Sequence, residues 1–198
     1  SNMTASMNEY FEFVIPAFWL FIPAITMRMW AEEKKLGTLE LIMTMPVRDG
    51  EAVAGKFMAS FGFLVLTLGL SFASLPVMIE WLGNPDWGPI MGGYLGLLLL
   101  GASFVAVGLA ISSMTENQFI AFIVSSVICL LLLGIGELLQ LVGLPGWILN
   151  LVSWVDAGSH FDSISRGVID SRDIVYYFSV IFFFLFLNYR SVTSRRWK

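Results

Sequence analysis

Hydrophobic residues along this chain fall into five long stretches with few or no charged side chains, separated by more polar segments. A helix needs about 20 mostly apolar residues to cross the hydrocarbon core of a bilayer. Several Trp and Tyr residues lie near the ends of these stretches, where the membrane interface favours aromatic rings. The pattern predicts five transmembrane helices, at about residues 10–30, 57–80, 90–113, 117–137 and 174–190.

The composition supports a membrane protein. Hydrophobic residues make up 57% of the 198 residues and charged residues only 13%, whereas a soluble domain carries about 25% charged residues. We therefore predict an all-α polytopic membrane protein in which residues 1–198 form a single membrane domain. The single cysteine, Cys129, excludes an internal disulfide and is expected to be a small buried residue.

A sixth stretch without charge, residues 138–155, is long enough to cross a membrane but contains Pro145-Gly146 near its middle. Such a pair is a strong turn signal. We therefore expect a helical hairpin at the outer leaflet, either re-entrant or interfacial, within residues 138–170. Irregular backbone at its turn is tolerated in a bilayer only where protein or water covers it. The polar segment 156–173 is expected to hold a short helix on the outer face.

Positive charges predict the orientation, because short loops rich in Lys and Arg stay in the cytoplasm. Five of the eleven Lys and Arg residues lie in the loop of residues 28–57, and four lie from Arg190 to the C-terminus. Both regions are expected in the cytoplasm, so an even number of spans must separate them. Four spans do so if residues 138–155 do not cross the membrane.

This orientation places the start of the first span outside the cytoplasm. Either the chain inserts with its N-terminus outside, or a preceding span is absent from the sequence. The first residue is Ser1 rather than Met, which favours the absent span.

Glycines at regular intervals mark the third predicted span as a packing helix. Small residues allow helix backbones to approach closely in lipid, where van der Waals contact drives association. We expect this surface to pack against other spans of the same chain, with a dimer interface as the sharper alternative. The glycines are Gly92, Gly96, Gly101 and Gly108.

The predicted spans hold little reactive chemistry. No ionisable residue lies deep in any of them, although ion-coupled transporters place such residues near the middle of the membrane. The one histidine, His160, lies in the outer loop and is expected to be a satisfied surface side chain. Motifs of P-loop nucleotide binding, serine hydrolases and zinc proteases are missing. We therefore predict no catalytic, cofactor-binding or metal site, no enzymatic activity and no nucleic-acid partner.

The loop of residues 28–57 holds a short apolar segment between charged flanks. Gly37 is expected to end the helix that continues from the first span, and Pro46 to end a short helix of residues 37–46. Asp49 is expected to cap the next helix. An interfacial helix usually carries basic residues on its polar face, and helix 37–46 does not. We expect it to dock into a groove of another protein, with a surface-lying helix without a partner as the alternative.

The sequence of this loop resembles the cytoplasmic loop of ABC-2 type transporter permeases. In that family an acidic and basic run precedes the pattern G-T-[LI]-E-[LI]-[LM]-x-T-x-P-V, and G-K follows before the next span. The preceding segment, residues 22–33, is similar to the gliding-motility-associated (GldF-like) branch of the family, and the resemblance extends over the whole chain. The residues that match the pattern are Gly37, Thr38, Leu39, Glu40, Leu41, Ile42, Thr44, Pro46, Val47, Gly55 and Lys56.

The resemblance implies a permease of six spans, with one span upstream of Ser1, and a coupling helix at residues 37–46. This helix would dock on a separate ABC ATPase subunit, which would bind ATP and Mg while this chain binds no cofactor. A second permease copy, identical or different, would complete the transporter in the bacterial inner membrane. The implied ATPase-docking residues are Glu32, Glu33, Lys34, Lys35, Gly37, Thr38, Leu39, Glu40, Ile42, Met43 and Pro46.

Two functions agree with these features. The first is the permease subunit of an ATP-driven exporter. The alternative is a membrane scaffold or mechanotransmission subunit that transports nothing and uses the ATPase for conformational work. A substrate-sized cavity between the spans favours transport, whereas a dry, closed dimer interface favours the scaffold.

Overall fold

The computed structural model describes residues 4–5, 8–39, 48–82, 84–85, 87–141, 146, 152, 154–167 and 170–195. Two short strands, β1 (Thr4–Ala5) and β2 (Asn84–Pro85), pair in parallel. The helices with defined bounds are α1 (Asn8–Thr26), α2 (Arg28–Lys35), α3 (Asp49–Leu82), α4 (Trp87–Met114), α5 (Gln118–Leu141), α6 (Ala157–Ser165) and α7 (Ser171–Arg195).

Among the described residues, five helical segments are long and apolar enough to cross a membrane, which confirms the predicted all-α polytopic membrane fold. Below, the end of the bundle at which α2 lies is called the loop end, and the opposite end, at which α6 lies, is called the α6 end. The spans run over Tyr10–Lys35, Asp49–Ser74, Trp87–Met114, Gln118–Gly136 and Ser171–Ser194.

Two helices begin earlier than the sequence predicts. The helix α3 begins at Asp49, and the N–H of the preceding residue, Arg48, donates to the Glu51 carboxylate at 3.1 Å. Asp49 is therefore inside the first turn rather than the cap, and the Glu51 contact is one half of a capping box. The helix α4 begins at Trp87 rather than near Ile90 because Pro89 lies in its first turn, where a backbone N–H has no acceptor in the helix.

The two prolines of the first span, a residue type that can kink or end a helix, do not end α1. Pro16 and Pro23 both lie inside α1, which continues to Thr26. The helix is interrupted at Met27, whose N–H still bonds to the Pro23 carbonyl at 2.9 Å, and α2 begins at the next residue. The first span is thus one long rod with a single break near the loop end.

The helix α4 lies at the centre of the bundle. In its most apolar window 78% of the residues are buried, against 11–28% in the other four spans. The helices α1, α2, α3, α5, α6 and α7 all pack against it. Because every other described span borders α4, a displacement of this helix changes the packing of the whole bundle.

Glycines allow these close contacts along α4. A Cβ on Gly92 would overlap the backbone carbonyl of Ile164 in α6, and a Cβ on Gly108 would overlap the Thr26 hydroxyl in α1. A Cβ would also meet a neighbouring side chain at Gly96, 3.0 Å from the Phe161 ring, and at Gly101, 2.6 Å from Leu64. The four predicted packing glycines therefore face helices of the same chain.

At the α6 end, α6 lies within the segment where the sequence predicts a short helix. Asp156 precedes it, and the carboxylate accepts the Ser159 N–H at 3.1 Å, as an N-cap does. The fourth span bends at Gly134, which has non-helical backbone angles (φ −133°, ψ 17°). Within the predicted hairpin, residues 142–145, 147–151, 153 and 168–169 lie outside the described residues, among them Pro145 of the predicted turn.

Candidate docking site

The predicted docking residues divide into those on α2, those just after it and those without a described position. Glu32, Glu33, Lys34 and Lys35 form the last turns of α2. Gly37, Thr38 and Leu39 follow, and Leu39 is buried. Four further predicted residues lie outside the described part of the chain, namely Glu40, Ile42, Met43 and Pro46.

The end of α2 is set by Gly37. Its φ of +71° is in the left-handed region, which glycine adopts without the steric penalty of a side chain. The Leu36 N–H bonds to the Glu32 carbonyl at 2.9 Å, and the Gly37 N–H bonds to the Lys34 carbonyl at 3.2 Å. The positive charges of Lys34 and Lys35 in the last turn also interact favourably with the negative end of the helix dipole. The helix therefore ends where the sequence predicts.

Lys56 fastens α2 to α3. Its Nζ lies 2.5 Å from the Glu33 carboxylate and donates to the Met29 carbonyl at 2.5 Å. The same ammonium lies 4.4 Å from the centroid of the Trp30 ring, within the range of a cation–π contact. Because its three partners belong to α2, this single side chain fixes the distance between the two helices that flank the loop.

Ser112, near the end of α4, satisfies the backbone at the break in the first span. Its hydroxyl accepts the N–H groups of Trp30 and Ala31, each at 3.1 Å, and donates to the Met27 carbonyl at 2.8 Å. Trp30 and Ala31 are completely buried. Since water does not reach these N–H groups, the hydroxyl supplies the acceptor that the first turn of α2 otherwise lacks.

The next residue, Ser113, joins α2 to the last span. Its carbonyl accepts the Ser191 hydroxyl of α7 at 2.8 Å and also the ammonium of Lys34. Ser112 and Ser113 thus connect three helices at the loop end: α2, α4 and α7.

Part of α2 and the turn after it face away from these contacts. Glu32, Lys35 and Gly37 are exposed, and the side chain of Leu36 is 68% exposed. An exposed leucine beside charged residues suits a contact that is apolar in the middle and polar at the rim. Of the predicted docking residues, Glu32, Lys35 and Gly37 contribute to this exposed surface, whereas Leu36 was not among those predicted.

Sequence reasoning found Lys56 only as part of a motif, and it missed Ser112, Ser113 and Ser191. A serine near the end of an apolar span has many roles, and nothing in its local sequence distinguishes a cap for another helix from a solvent-facing hydroxyl. No sequence signal marks this role, because the interruption at Met27, which leaves N–H groups of α2 in need of an acceptor, is seen only in the structure.

An apolar cavity of about 420 Å³ lies between α1, α3 and α4. Near its α6 end the Tyr10 hydroxyl lies 2.6 Å from the Ser71 hydroxyl, which lies 3.0 Å from the Tyr94 hydroxyl. Deeper in the cavity wall, Ser60 is buried and its hydroxyl has no hydrogen-bond partner among the described residues. The volume is within the range of about 300–1,000 Å³ typical of small-molecule pockets.

The sequence predicted that the histidine at the α6 end, His160, lies on the surface. In the structure its side chain is partly buried. The His160 side chain is 15% exposed, and its Nδ1 lies 2.6 Å from the Asp173 carboxylate. Its ring stacks on Tyr176 with centroids 4.2 Å apart. The prediction missed this burial because Asp173 and Tyr176 approach it only when α6 packs on α7. Among the described residues, no group of three or more His, Cys, Asp and Glu side chains is arranged to hold a metal.

Comparison with known proteins agrees with the loop pattern. The sequence profile of the ABC-2 family transporter protein matches residues 1–188. The chain is also 28% identical over 172 residues to the "Probable multidrug ABC transporter permease YbhR" of Escherichia coli (strain K12), and equally to the protein of that name from Escherichia coli O157:H7. Each alignment covers 81% of this chain and 44% of the relative. The chain therefore spans less than half the length of these relatives.

Proposed function

The chain belongs to the ABC-2 family of transporter proteins, and from this premise we propose that it is the permease subunit of an ATP-driven exporter. In this function the chain forms part of the translocation path. A separate ABC ATPase binds ATP and Mg, hydrolyses the ATP and drives movement of the spans. A second permease copy, identical or different, completes the transporter. The two relatives named above carry "multidrug ABC transporter permease" in their names, which supports the transport class.

The observation that carries the proposal is the anchoring of both ends of the loop. On one side, Glu33 is bonded to Lys56 of α3, so α2 and α3 move together. On the other side, α3 begins at Asp49, three residues after Pro46, where the predicted coupling helix ends. A protein that binds residues 36–46 can therefore pass force to two spans at once. A loop without mechanical function has no need of this anchoring.

The cavity between α1, α3 and α4 supports transport over the scaffold alternative. A scaffold needs close packing between its helices, whereas an exporter needs space for a substrate within or between its spans. A volume of about 420 Å³ is suited to a drug-sized apolar molecule.

The orientation and the subfamily also belong to this proposal. We place the chain in the bacterial inner membrane with the loop end and the C-terminus in the cytoplasm, because nine of the eleven Lys and Arg residues lie in these two regions. Within the family we place it on the gliding-motility-associated branch, on the strength of residues 22–33.

The test is a substitution at the exposed residue of the docking surface. We expect Leu36→Asp to reduce the amount of ABC ATPase that co-purifies with the full-length permease by about tenfold, which corresponds to a loss of about 1.4 kcal/mol of binding free energy. The ATP turnover of the complex is expected to fall in parallel. Leu36 is a better position for this test than the buried Leu39, where a charge would also disturb the fold.

The matched control is Met114→Asp. Met114 is 49% exposed at the loop end of α4, so the control adds the same charge to a similar apolar side chain outside the docking surface. Unchanged ATPase recovery with Leu36→Asp, or an equal loss with Met114→Asp, would contradict docking at this surface. For the transport step, substrate-stimulated ATP turnover supports the exporter, and turnover that no apolar compound stimulates supports the scaffold.

A further inference from the structure

The break in the first span is a mechanically weak point. Pro23 has no N–H, so the helical hydrogen bond that its nitrogen would make is absent from the last turns of α1. The Thr26 hydroxyl bonds to the Ile22 carbonyl at 2.9 Å, a contact that competes with the backbone and favours bending. At Met27 the helix is interrupted. Met27 keeps helical backbone angles (φ −56°, ψ −31°), so the interruption is a local gap in the helical hydrogen bonds rather than a change in chain direction.

Ser112 adds to this weak connection a link to a different helix. Its hydroxyl makes hydrogen bonds to residues on both sides of the start of α2, accepting from Trp30 and Ala31 and donating to Met27. Ser112 itself is completely buried, so water does not compete for these bonds. The start of α2 is thereby tied to α4 as well as to α1.

Contacts on either side of Ser112 extend the link. One turn earlier in α4, Gly108 lies against the Thr26 side chain with no space for a Cβ, so the two helices cannot slide past each other there. One residue later, the Ser113 carbonyl accepts from Lys34 of α2 and from Ser191 of α7. A displacement of α2 therefore reaches the central helix directly and the last span through one further hydrogen bond.

We propose that Ser112 is a positioning residue that transmits movement of the docking segment to α4, and through the Ser113 carbonyl and Ser191 to α7. The proposal rests on the proposed function, because it needs an ATPase to move α2. It adds a specific route. Force passes from α2 to α4 through hydrogen bonds, past the interruption of the helix at Met27 that would otherwise absorb it.

A first experiment tests the cap in the full-length permease alone. Hydrogen exchange of the Trp30 amide is expected to be several-fold faster in Ser112→Ala than in the wild type, because this N–H loses its acceptor, whereas the Ala31 N–H keeps the Met27 carbonyl as an acceptor within α2. The control is Ser103→Ala, since the Ser103 hydroxyl is equally buried in α4 but bonds within its own helix, to Leu100 at 2.6 Å. Equal exchange in Ser112→Ala and Ser103→Ala would overturn the cap.

A second experiment tests transmission in the complex with the ATPase. Spin labels replace exposed residues in a Cys129→Ser background, and interspin distances are compared between the nucleotide-free state and the state trapped with ATP and vanadate. The pair Arg28–Phe119 reports movement of α2 at the loop end. The pairs Phe13–Met91 and Phe13–Val175 report movement of α4 and α7 at the α6 end.

In the wild type, all three distances are expected to change with nucleotide. In Ser112→Ala the change at Arg28–Phe119 is expected to persist, while the changes at the two α6-end pairs fall at least to half. Ser103→Ala is expected to behave as the wild type does. Ser191→Ala provides an independent arm if Ser112→Ala folds poorly, since it is expected to reduce only the Phe13–Val175 change.

The outcomes separate the two proposals. If the wild type shows no nucleotide-dependent change at Arg28–Phe119, the ATPase does not move α2, and the coupling function and the transmission route both fail. If α2 moves in Ser112→Ala and the α6-end pairs move as in the wild type, the coupling function stands and the Ser112 route is overturned. A full Phe13–Val175 change in Ser191→Ala overturns the branch to α7.

Discussion

The two ends of the helix bundle are held together in different ways. At the loop end, directional contacts from a few side chains join the helices: Lys56 binds Glu33, and Ser112 bonds to the backbone of α2. At the α6 end, His160 and Asp173 also join α6 to α7, but the contact of α4 with α6 rests on close packing: a glycine lets α4 touch the backbone of α6, and rings fill the space beside it. Phe11 packs edge to face against Tyr94 and Phe161, with centroids 5.8 and 6.3 Å apart.

This difference predicts how each end can be damaged. Close packing tolerates no added atom, because a rigid neighbour cannot move away. A hydrogen-bonded joint tolerates no removed atom, because the partner that remains is buried without a donor or acceptor. The α6 end should therefore be sensitive to larger residues, and the loop end to truncated ones.

The largest expected effect is at the α6 end. In Gly92→Ala the new methyl group meets the Ile164 carbonyl and the backbone of Gly167, neither of which can rotate away. We expect a loss of about 3 kcal/mol in the free energy of unfolding, measured by SDS titration of the purified protein. The control is Gly62→Ala, because Gly62 in α3 has no atom within 4 Å of the added position. A loss as small for Gly92→Ala as for Gly62→Ala would contradict the close contact of α4 and α6.

An intermediate effect is expected at the loop end. Lys56→Met keeps the length of the side chain but leaves the Glu33 carboxylate and the Met29 carbonyl without this donor. We expect a loss of about 1–3 kcal/mol in the free energy of unfolding. Glu33→Gln alone and the double substitution complete a thermodynamic cycle, in which the double variant should lose less than the sum of the single variants. Strict additivity would mean that the ion pair contributes nothing to the joint.

The smallest effect concerns pH at the α6 end. Burial raises the pKa of the Asp156 carboxyl above its ordinary value of 3.8, against the opposing effect of N–H groups that favour the charged form. The folded state therefore holds this proton more tightly than the unfolded chain does. The contribution of Asp156 to stability is full below the ordinary pKa and is lost as the pH rises through the raised value.

Asp156→Asn removes this titration but keeps an oxygen that can cap α6. We expect a flatter dependence of the melting temperature on pH in the range above the ordinary pKa of the carboxyl, about pH 4. Asp156→Ala removes the cap as well, and should be less stable than Asp156→Asn by about 1 kcal/mol at every pH. If the wild type and Asp156→Asn show parallel pH profiles, Asp156 does not titrate in this range.

Much of the fold was predictable, and the misplaced helix starts have local causes. Hydropathy located the five spans because the free energy of moving a side chain into lipid adds up along a window of sequence. The starts of α3 and α4 were misplaced because the Arg48–Glu51 contact and the first-turn position of Pro89 depend on backbone geometry. The burial of His160 was missed because its partners come from a helix more than ten residues further along the chain.

The candidate site was predictable in its position but not in its construction. Gly37 ends α2, as its conformational freedom predicts, and Leu36 beside it is exposed. The role of the docking residues themselves stays a prediction. No local pattern connected Ser112 with Trp30, since 82 residues separate them and their contact depends on how closely α4 and α1 approach.

The sequence alone was sufficient for properties that each segment holds independently: the number of spans, their approximate positions, the basic regions and the apolar loop between charged flanks. These follow from transfer free energies and backbone preferences, which act within a few residues. Only the tertiary structure decided that α4 is central, that Lys56 serves three partners on α2, and that one serine of α4 caps the broken first span. Those features depend on shape complementarity and hydrogen-bond geometry between distant segments, which exist only after the helices have packed.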